Sequence, residues 1–154
     1  MSETDIIFSI GEEQYGFDVQ LVTGIEPITD IVAVPNAPGR ILGLMNLRGE
    51  VIPVYSLRRK FLLEELTDQA RAKLIVTQYN GKLLAFKVDE VLEMVDFPEE
   101  AITDTPIIAK SPETAYVRAI ANKQGRLVLL LNPSMMYEGN EEEQIAEAMR
   151  RMQS

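Results

Sequence analysis

Cysteine and histidine are both absent from this 154-residue chain. Their absence removes disulfides, thiolate nucleophiles, imidazole bases and the common zinc sites together. Positive charge is also scarce: 15 Lys and Arg stand against 24 Asp and Glu, a formal net charge of −9. Binding to nucleic acid or to an anionic membrane surface relies on clustered cations, so neither partner is expected. No apolar run approaches the ~18 residues of a membrane helix. The opening MSETDIIFSI has no basic segment followed by an apolar run, so no signal peptide is expected. The expectation is a soluble, intracellular, cytoplasmic protein.

Catalytic motifs are missing as well. There is no Gly-x-x-x-x-Gly-Lys-Ser/Thr loop, no Gly-x-Gly-x-x-Gly fingerprint, no Ser-x-x-Lys pair and no Asp-x-Asp-x-Asp-Gly calcium loop. Asp89-Glu90 follows a strand pattern and Glu141–Glu143 opens a helical one, so these carboxylates read as a solvated turn and a helix N-terminus. Arg58-Arg59-Lys60 reads as a solvated helix face, with docking as the sharper reading, and Met135-Met136 reads as core. No enzyme, cofactor or metal is expected.

What is present is β-structure. Apolar residues make up 46% of the chain, enough for a packed core. Hydrophobicity alternates with period two in DIIFSIGEEQYGFDV, placing Ile6, Phe8 and Ile10 on one face with Tyr15 and Phe17 paired to them after a turn. LIVTQYNGKLLAFKV is a hairpin about Asn80-Gly81, a dipeptide suited to a type I′ turn. Further hairpins turn near Gln124-Gly125 and at Arg48-Gly49. Pro53, inside the strand that follows Gly49, predicts an edge or a bulge because proline cannot donate to a ladder. Helices are few: one or two turns begun by Ser56, a short one from Pro133, and a terminal one capped by Asn140.

This pattern predicts an all-β protein, barrel or sandwich. The polar connector near 62–72 divides two β-rich halves, each small enough to be marginal alone, so the halves should share an apolar face. EEQYGFDV faintly echoes GKLLAFKVDEV, one in each half. ILGLMNLRGEVIPVY is apolar on both strand faces, with Leu42 and Leu44 expected to share one face with Asn46 and Met45 and Leu47 to lie on the other. One face suits a barrel interior, and the other must meet the second half or a partner.

FSIGEEQYGFDV, VPNAPGRILGLMNLRGEVIPVYSLRRKF, FKVDEV and GRLVLLLN occur in this order from about Asp5 to Tyr137. Together they resemble the CheW family of bacterial chemotaxis coupling proteins. The resemblance implies one CheW-like domain over 1–154, built from two five-stranded SH3-like β-barrels around a shared hydrophobic core. The first barrel would span about 15–65 and the second about 70–131, with the N-terminal strand and C-terminal helix packing across. The resemblance implies an adaptor without catalysis. It would join the regulatory domain of the histidine kinase CheA to the cytoplasmic tip of chemoreceptors, at membrane receptor arrays. The chain is too short for the kinase or receiver domains that also carry this module, which favours the free adaptor.

Carried over residue by residue, the partner-binding positions are Val22, Ile25, Gly43, Asn46, Leu47, Arg48 and Gly49. The family usually has Glu between the Val and the Ile, where this chain has Gly24. Glu26, on the same strand face, is expected to become the carboxylate partner of Arg48 and joins the site. Ser56 stands where Asp is common, and still suits a helix start. The alternatives are a β-barrel holding a small molecule between its halves, or a coupling domain of a non-chemotaxis kinase pathway.

Overall fold

The computed structural model describes residues 2–37, 39–104 and 114–136. Pro38 and the terminal helix expected after Asn140 lie outside them. Among the described residues eleven strands form: β1 (Ser2–Ile10), β2 (Glu13–Asp18), β3 (Val22–Pro27), β4 (Ile41–Leu47), β5 (Glu50–Ser56), β6 (Lys73–Tyr79), β7 (Lys82–Val88), β8 (Glu90–Pro98), β9 (Ile102–Asp104), β10 (Val117–Lys123) and β11 (Arg126–Leu131). Three hairpins turn through two residues of positive φ: Arg48 and Gly49 (51° and 90°), Asn80 and Gly81 (51° and 77°), Gln124 and Gly125 (53° and 88°). These are the type I′ values that match the right-handed twist of the flanking strands. The short helix α1 (Leu57–Lys60) begins at Ser56, whose hydroxyl accepts from the Arg59 N–H at 3.2 Å, and a 3₁₀ turn spans Pro133–Met136.

The strands assemble into two sheets, in the orders β8-β1-β2-β11-β10-β9 and β3-β6-β7-β5-β4. The five-stranded sheet takes β6 and β7 from beyond the 62–72 connector, while β1 and β2 join the later strands. The connector therefore links strands of one sheet, and the chain changes sheets instead between Asp18 and Val22 and at Asp89. One sheet also has six strands rather than the expected five, because β9 was not legible.

Both sheets curl closed. β8 and β9 lie on opposite edges of the six-stranded sheet, yet only the 3₁₀ turn Glu99–Ala101 separates them. That link can reach ~14 Å, whereas a flat six-stranded sheet would hold its edges ~24 Å apart. In the five-stranded sheet the segment leaving β3 lays Val32 against the far-edge residue Leu44, with two backbone hydrogen bonds of 2.8 Å.

The two barrels repeat one plan. β1–β2 pairs Ile6 with Phe17, and β6–β7 pairs Ile75 with Phe86. β2 runs parallel to β11 with Phe17 beside Leu131, and β7 parallel to β5 with Phe86 beside Tyr55. Edge strands β8 and β3 carry register shifts at matching places, as do β10 and β4. The echo between EEQYGFDV and GKLLAFKVDEV thus falls on equivalent strands, β2 and β7.

Three apolar layers follow from this plan. Ile7, Ala121, Val128 and Leu130 fill the six-stranded barrel, and their counterparts Val76, Met45, Ile52 and Val54 fill the other. Between the barrels lies the shared core, with Ile6, Phe8 and Phe17 from one and Tyr55, Ile75 and Phe86 from the other. β1 and β6 are thus buried on both faces.

Pro53 sits on an internal strand, not an edge. The parallel pairing of β5 with β7 begins only at Val54, so no ladder donor is needed from Pro53 on that side. The irregularity lies on the partner strand, between Ile41 and Gly43. It resets the alternation, so Leu42 packs with Met45 inside the barrel rather than sharing a face with Leu44 and Asn46. Gly43 is where the crossing segment presses closest. Its φ is 154°, and a Cβ there would lie 2.2 Å from the Val32 carbonyl oxygen. Gly43→Ala is therefore expected to lower stability by at least ~2 kcal/mol. Gly49→Ala, with open space around it, should cost ~1 kcal/mol. Urea denaturation of the two variants checks the order.

Candidate partner-binding site

The NLRG hairpin holds its own shape. The Asn46 Oδ1 accepts from the Gly49 N–H at 2.9 Å, closing the turn. Asn122 does the same for Gly125 at 2.7 Å in the equivalent hairpin. Asparagine suits this place because its short side chain reaches a backbone donor across a turn. Asn46 and Gly49 are thus accounted for by turn geometry, and Gly43 by the close approach of Val32.

Arg48, at the turn tip, projects to solvent with its side chain 77% exposed. Its Nη2 donates to the Glu26 Oε1 at 3.2 Å, so the expected pair is formed. The bare Gly24 helps to seat it. A Cβ at Gly24 would lie 3.7 Å from the Glu26 Oε1, so the carboxylate rests over the glycine. The pair joins β3 to the β4–β5 turn, the opposite edges of the five-stranded sheet. The other barrel has a similar clasp, in which the Lys123 Nζ meets the Glu93 Oε2 at 3.0 Å. Glu93 is the structural counterpart of Gly24, since the two occupy the same place relative to the bulges of β8 and β3.

The remaining predicted positions divide by burial. Val22 packs against the shared core and Leu47 against the five-stranded barrel interior. Ile25 is 42% exposed on edge strand β3. The structure therefore brings Glu26 and Arg48 together across the edges of the five-stranded sheet. Ile25, exposed beside Glu26 on β3, alternates to the other strand face, and Val22, Gly43, Asn46, Leu47 and Gly49 serve packing or turn geometry.

A second polar cluster escaped the sequence reading. Arg58 grips Asp89 with two parallel hydrogen bonds of 2.8 Å, and the Asp89 Oδ2 also accepts from the Gly11 N–H at 2.7 Å. Their side chains are only 16% and 14% exposed, so neither belongs to a solvated face or turn. The hydrogen bonds that Arg58 donates to Asp89 hold it firmly in its charged form, against a smaller effect of burial. Asp89 sits where the chain passes from β7 to β8, so the grip pins the two barrels together beside the β1–β2 turn. The Arg-Arg-Lys run and Asp89 were both in view, but nothing in their spacing joins residues so far apart in sequence. Ser56, meanwhile, donates to the Glu65 Oε1 at 2.5 Å, which brings a carboxylate to the place where the family resemblance has Asp. Met136 is fully buried as expected, while Met135 is 46% exposed.

Among the described residues no group of three or more Asp or Glu is arranged to hold a metal ion, and no helix is long and apolar enough to cross a membrane. Two small closed barrels, each filled by side chains and packed back to back, define the fold class. A family model for the CheW-like domain matches residues 6–141, and the chain belongs to that family. It is similar to the probable chemotaxis protein CheW of Rhizobium etli, 29% identical over 138 residues, covering 90% of this chain and 89% of that protein. Against the chemotaxis protein CheW of Klebsiella aerogenes it is 28% identical over 127 residues, covering 82% and 76%. The crystal structure of the scaffolding protein TtCheW from Thermoanaerobacter tengcongensis aligns with a TM-score of 0.81 at 27% identity, covering 92% and 91%. The architecture is thus the SH3-like double barrel of this family, and these relatives are named as chemotaxis and scaffolding proteins, not as enzymes.

The two ion pairs should differ in how much stability their removal costs. Arg48→Ala removes an exposed pair and is expected to cost ~0.2–1 kcal/mol. Asp89→Ala strands a largely buried guanidinium and uncaps Gly11, and is expected to cost ~2–4 kcal/mol. Chemical denaturation of both variants tests the contrast.

Proposed function

We propose that this protein is a cytoplasmic chemotaxis adaptor that couples chemoreceptors to the histidine kinase CheA by protein contacts alone. It would bind the regulatory domain of the kinase and the cytoplasmic tip of the receptors, and be recruited with them to membrane arrays. The CheW-like match over nearly the whole double barrel supports this reading. The observation that carries it to a site is the exposed Arg48, paired with Glu26 at the edge of the five-stranded barrel, with Ile25 exposed on the same edge strand as Glu26. The scaffold is expected to lose little stability without Arg48. Arginine together with exposed apolar surface is a composition enriched at interfaces. Val22, Gly43, Asn46, Leu47 and Gly49 act in this reading by holding this edge in shape.

The small-molecule alternative gains nothing from the structure. The space between the barrels is taken by Phe8, Phe17, Tyr55 and Phe86.

The test is a titration of isotope-labelled protein with the isolated kinase regulatory domain and, separately, with a receptor-tip fragment. At least one should bind and perturb Ile25, Glu26 and Arg48. Arg48→Ala should weaken that binding ~10-fold or more, the scale of a hot-spot truncation, with the melting temperature almost unchanged. Absence of binding to both partners sinks the adaptor reading. Binding with these residues unperturbed moves the site elsewhere.

A further inference from the structure

The six-stranded barrel contains a buried ionic cluster that its sister barrel lacks. Asp5 is 0% exposed, although it sits on the barrel-interior face of β1 next to Ile7. Arg118 is the residue at which β10 breaks register, between Val117 and Ala119. Such a bulge re-aims a side chain, and here the guanidinium meets β1. The Arg118 Nη1 donates to the Glu3 Oε1 at 3.1 Å and the Nη2 to the Asp5 Oδ1 at 3.0 Å, with a further bond from Nη2 to the Glu3 Oε2. Among the described residues the Asp5 Oδ2 has no hydrogen-bond partner.

The other barrel supplies the control. The counterparts of Glu3, Asp5 and Arg118 there are Ala72, Leu74 and Leu42, by the matching registers of β1 with β6 and of β10 with β4. Ala72 and Leu74 are buried, and Leu42 packs against the barrel interior. The same architecture therefore closes with three apolar side chains. Ions are not needed to plug this end, and burying them is costly.

We propose that Glu3, Asp5 and Arg118 form a proton-operated latch on the end of the six-stranded barrel, closed while Asp5 carries a proton and loosened when it ionises. One guanidinium can balance one buried carboxylate. With both acids ionised the cluster carries a net negative charge in an apolar setting. The charged groups facing Asp5 are Glu3 on its own strand, Asp18 paired across from it on β2, and Arg118 on β10. β8 presents Val95 opposite Asp5 and β11 presents Leu130 nearby, and neither is charged. Burial, then the neighbouring Glu3 carboxylate, push the Asp5 carboxyl up to about 8, against the pull of Arg118. Burial raises Glu3 too, but its Asp5 neighbour and the Arg118 guanidinium leave it below the ordinary value, so Glu3 is the ionised partner.

The sign follows. Folded Asp5 holds its proton up to about pH 8, whereas the unfolded chain releases it near 3.8. Its stabilising contribution is complete below the lower value and is lost as pH rises through the upper one. What loosens first is the pairing of Glu3 with Phe97 and of Asp5 with Val95, where β1 meets β8.

The test follows the Asp5 carboxyl carbon by NMR across pH, with amide-exchange protection factors on the same samples. The expected midpoint is near 8, with protection at Glu3, Asp5 and Val95 falling progressively from the unfolded value of 3.8 up to that midpoint and levelling off above it, while Leu74 and Val76 hold theirs. Asp5→Asn should remove that fall. So should the triple variant Glu3→Ala, Asp5→Leu, Arg118→Leu, which copies the sister barrel and guards against misfolding of the single variant. An Asp5 midpoint near 4, or an undiminished fall in protection in either folded variant, overturns the latch. Should neither variant fold, the wild-type midpoint decides alone.

Discussion

Phe17 and Phe86, whose ring centroids lie 5.2 Å apart, mark the contact on which both barrels depend. Each ring comes from the inner hairpin of its own sheet. Phe8 stands 4.9 Å from Phe17 and Tyr55 stands 5.3 Å from Phe86, so the aromatic chain reaches into both barrels. A barrel of five or six short strands encloses so little apolar surface that it is marginal by itself. Placing two back to back gives β1, β2, β6 and β7 a second buried face. The shared layer thus contributes to the stability of each barrel, and neither is an independent domain.

The internal repeat separates what the architecture requires from what each barrel does with it. Both have an Asn-capped hairpin, a bulged edge strand, a crossing segment that covers the far edge, and an ionic clasp between edge and turn. They differ in what they put at equivalent places. The five-stranded barrel has an apolar end and carries Arg48 at its hairpin tip, where the six-stranded barrel has Gln124. The six-stranded barrel places its charges inside, at Asp5 and Arg118. Charge at the surface is free to meet a partner, whereas charge in the interior answers chiefly to protons.

Local signals were legible in the sequence because their causes are local. Asn80-Gly81, Arg48-Gly49 and Gln124-Gly125 give away their turns through positive φ, and the alternation of Ile6, Phe8 and Ile10 gives away the buried face of β1. The Glu26–Arg48 pair was also within reach, since the empty Gly24 left a carboxylate on the same strand face as the natural substitute. Sheet membership was not legible. The 62–72 connector looks like a boundary because it is polar, but polarity reports exposure and says nothing about which strands pair across it. Leu42 was assigned to the wrong face because a bulge is invisible to period-two counting. Arg58 and Asp89 looked solvated because each is charged and local context could not show that the other was waiting in space.

The hairpin exchange has a consequence for the chain as an object. The first hairpin, β1–β2, completes the barrel built from the later strands, and the second, β6–β7, completes the barrel built from the earlier ones. The molecule is therefore interlocked like two links that each close through the other. Two fragments cut at the connector would each hold the piece the other lacks. Apart, each would expose strand edges with no mate. Together they would be complementary halves of one ring.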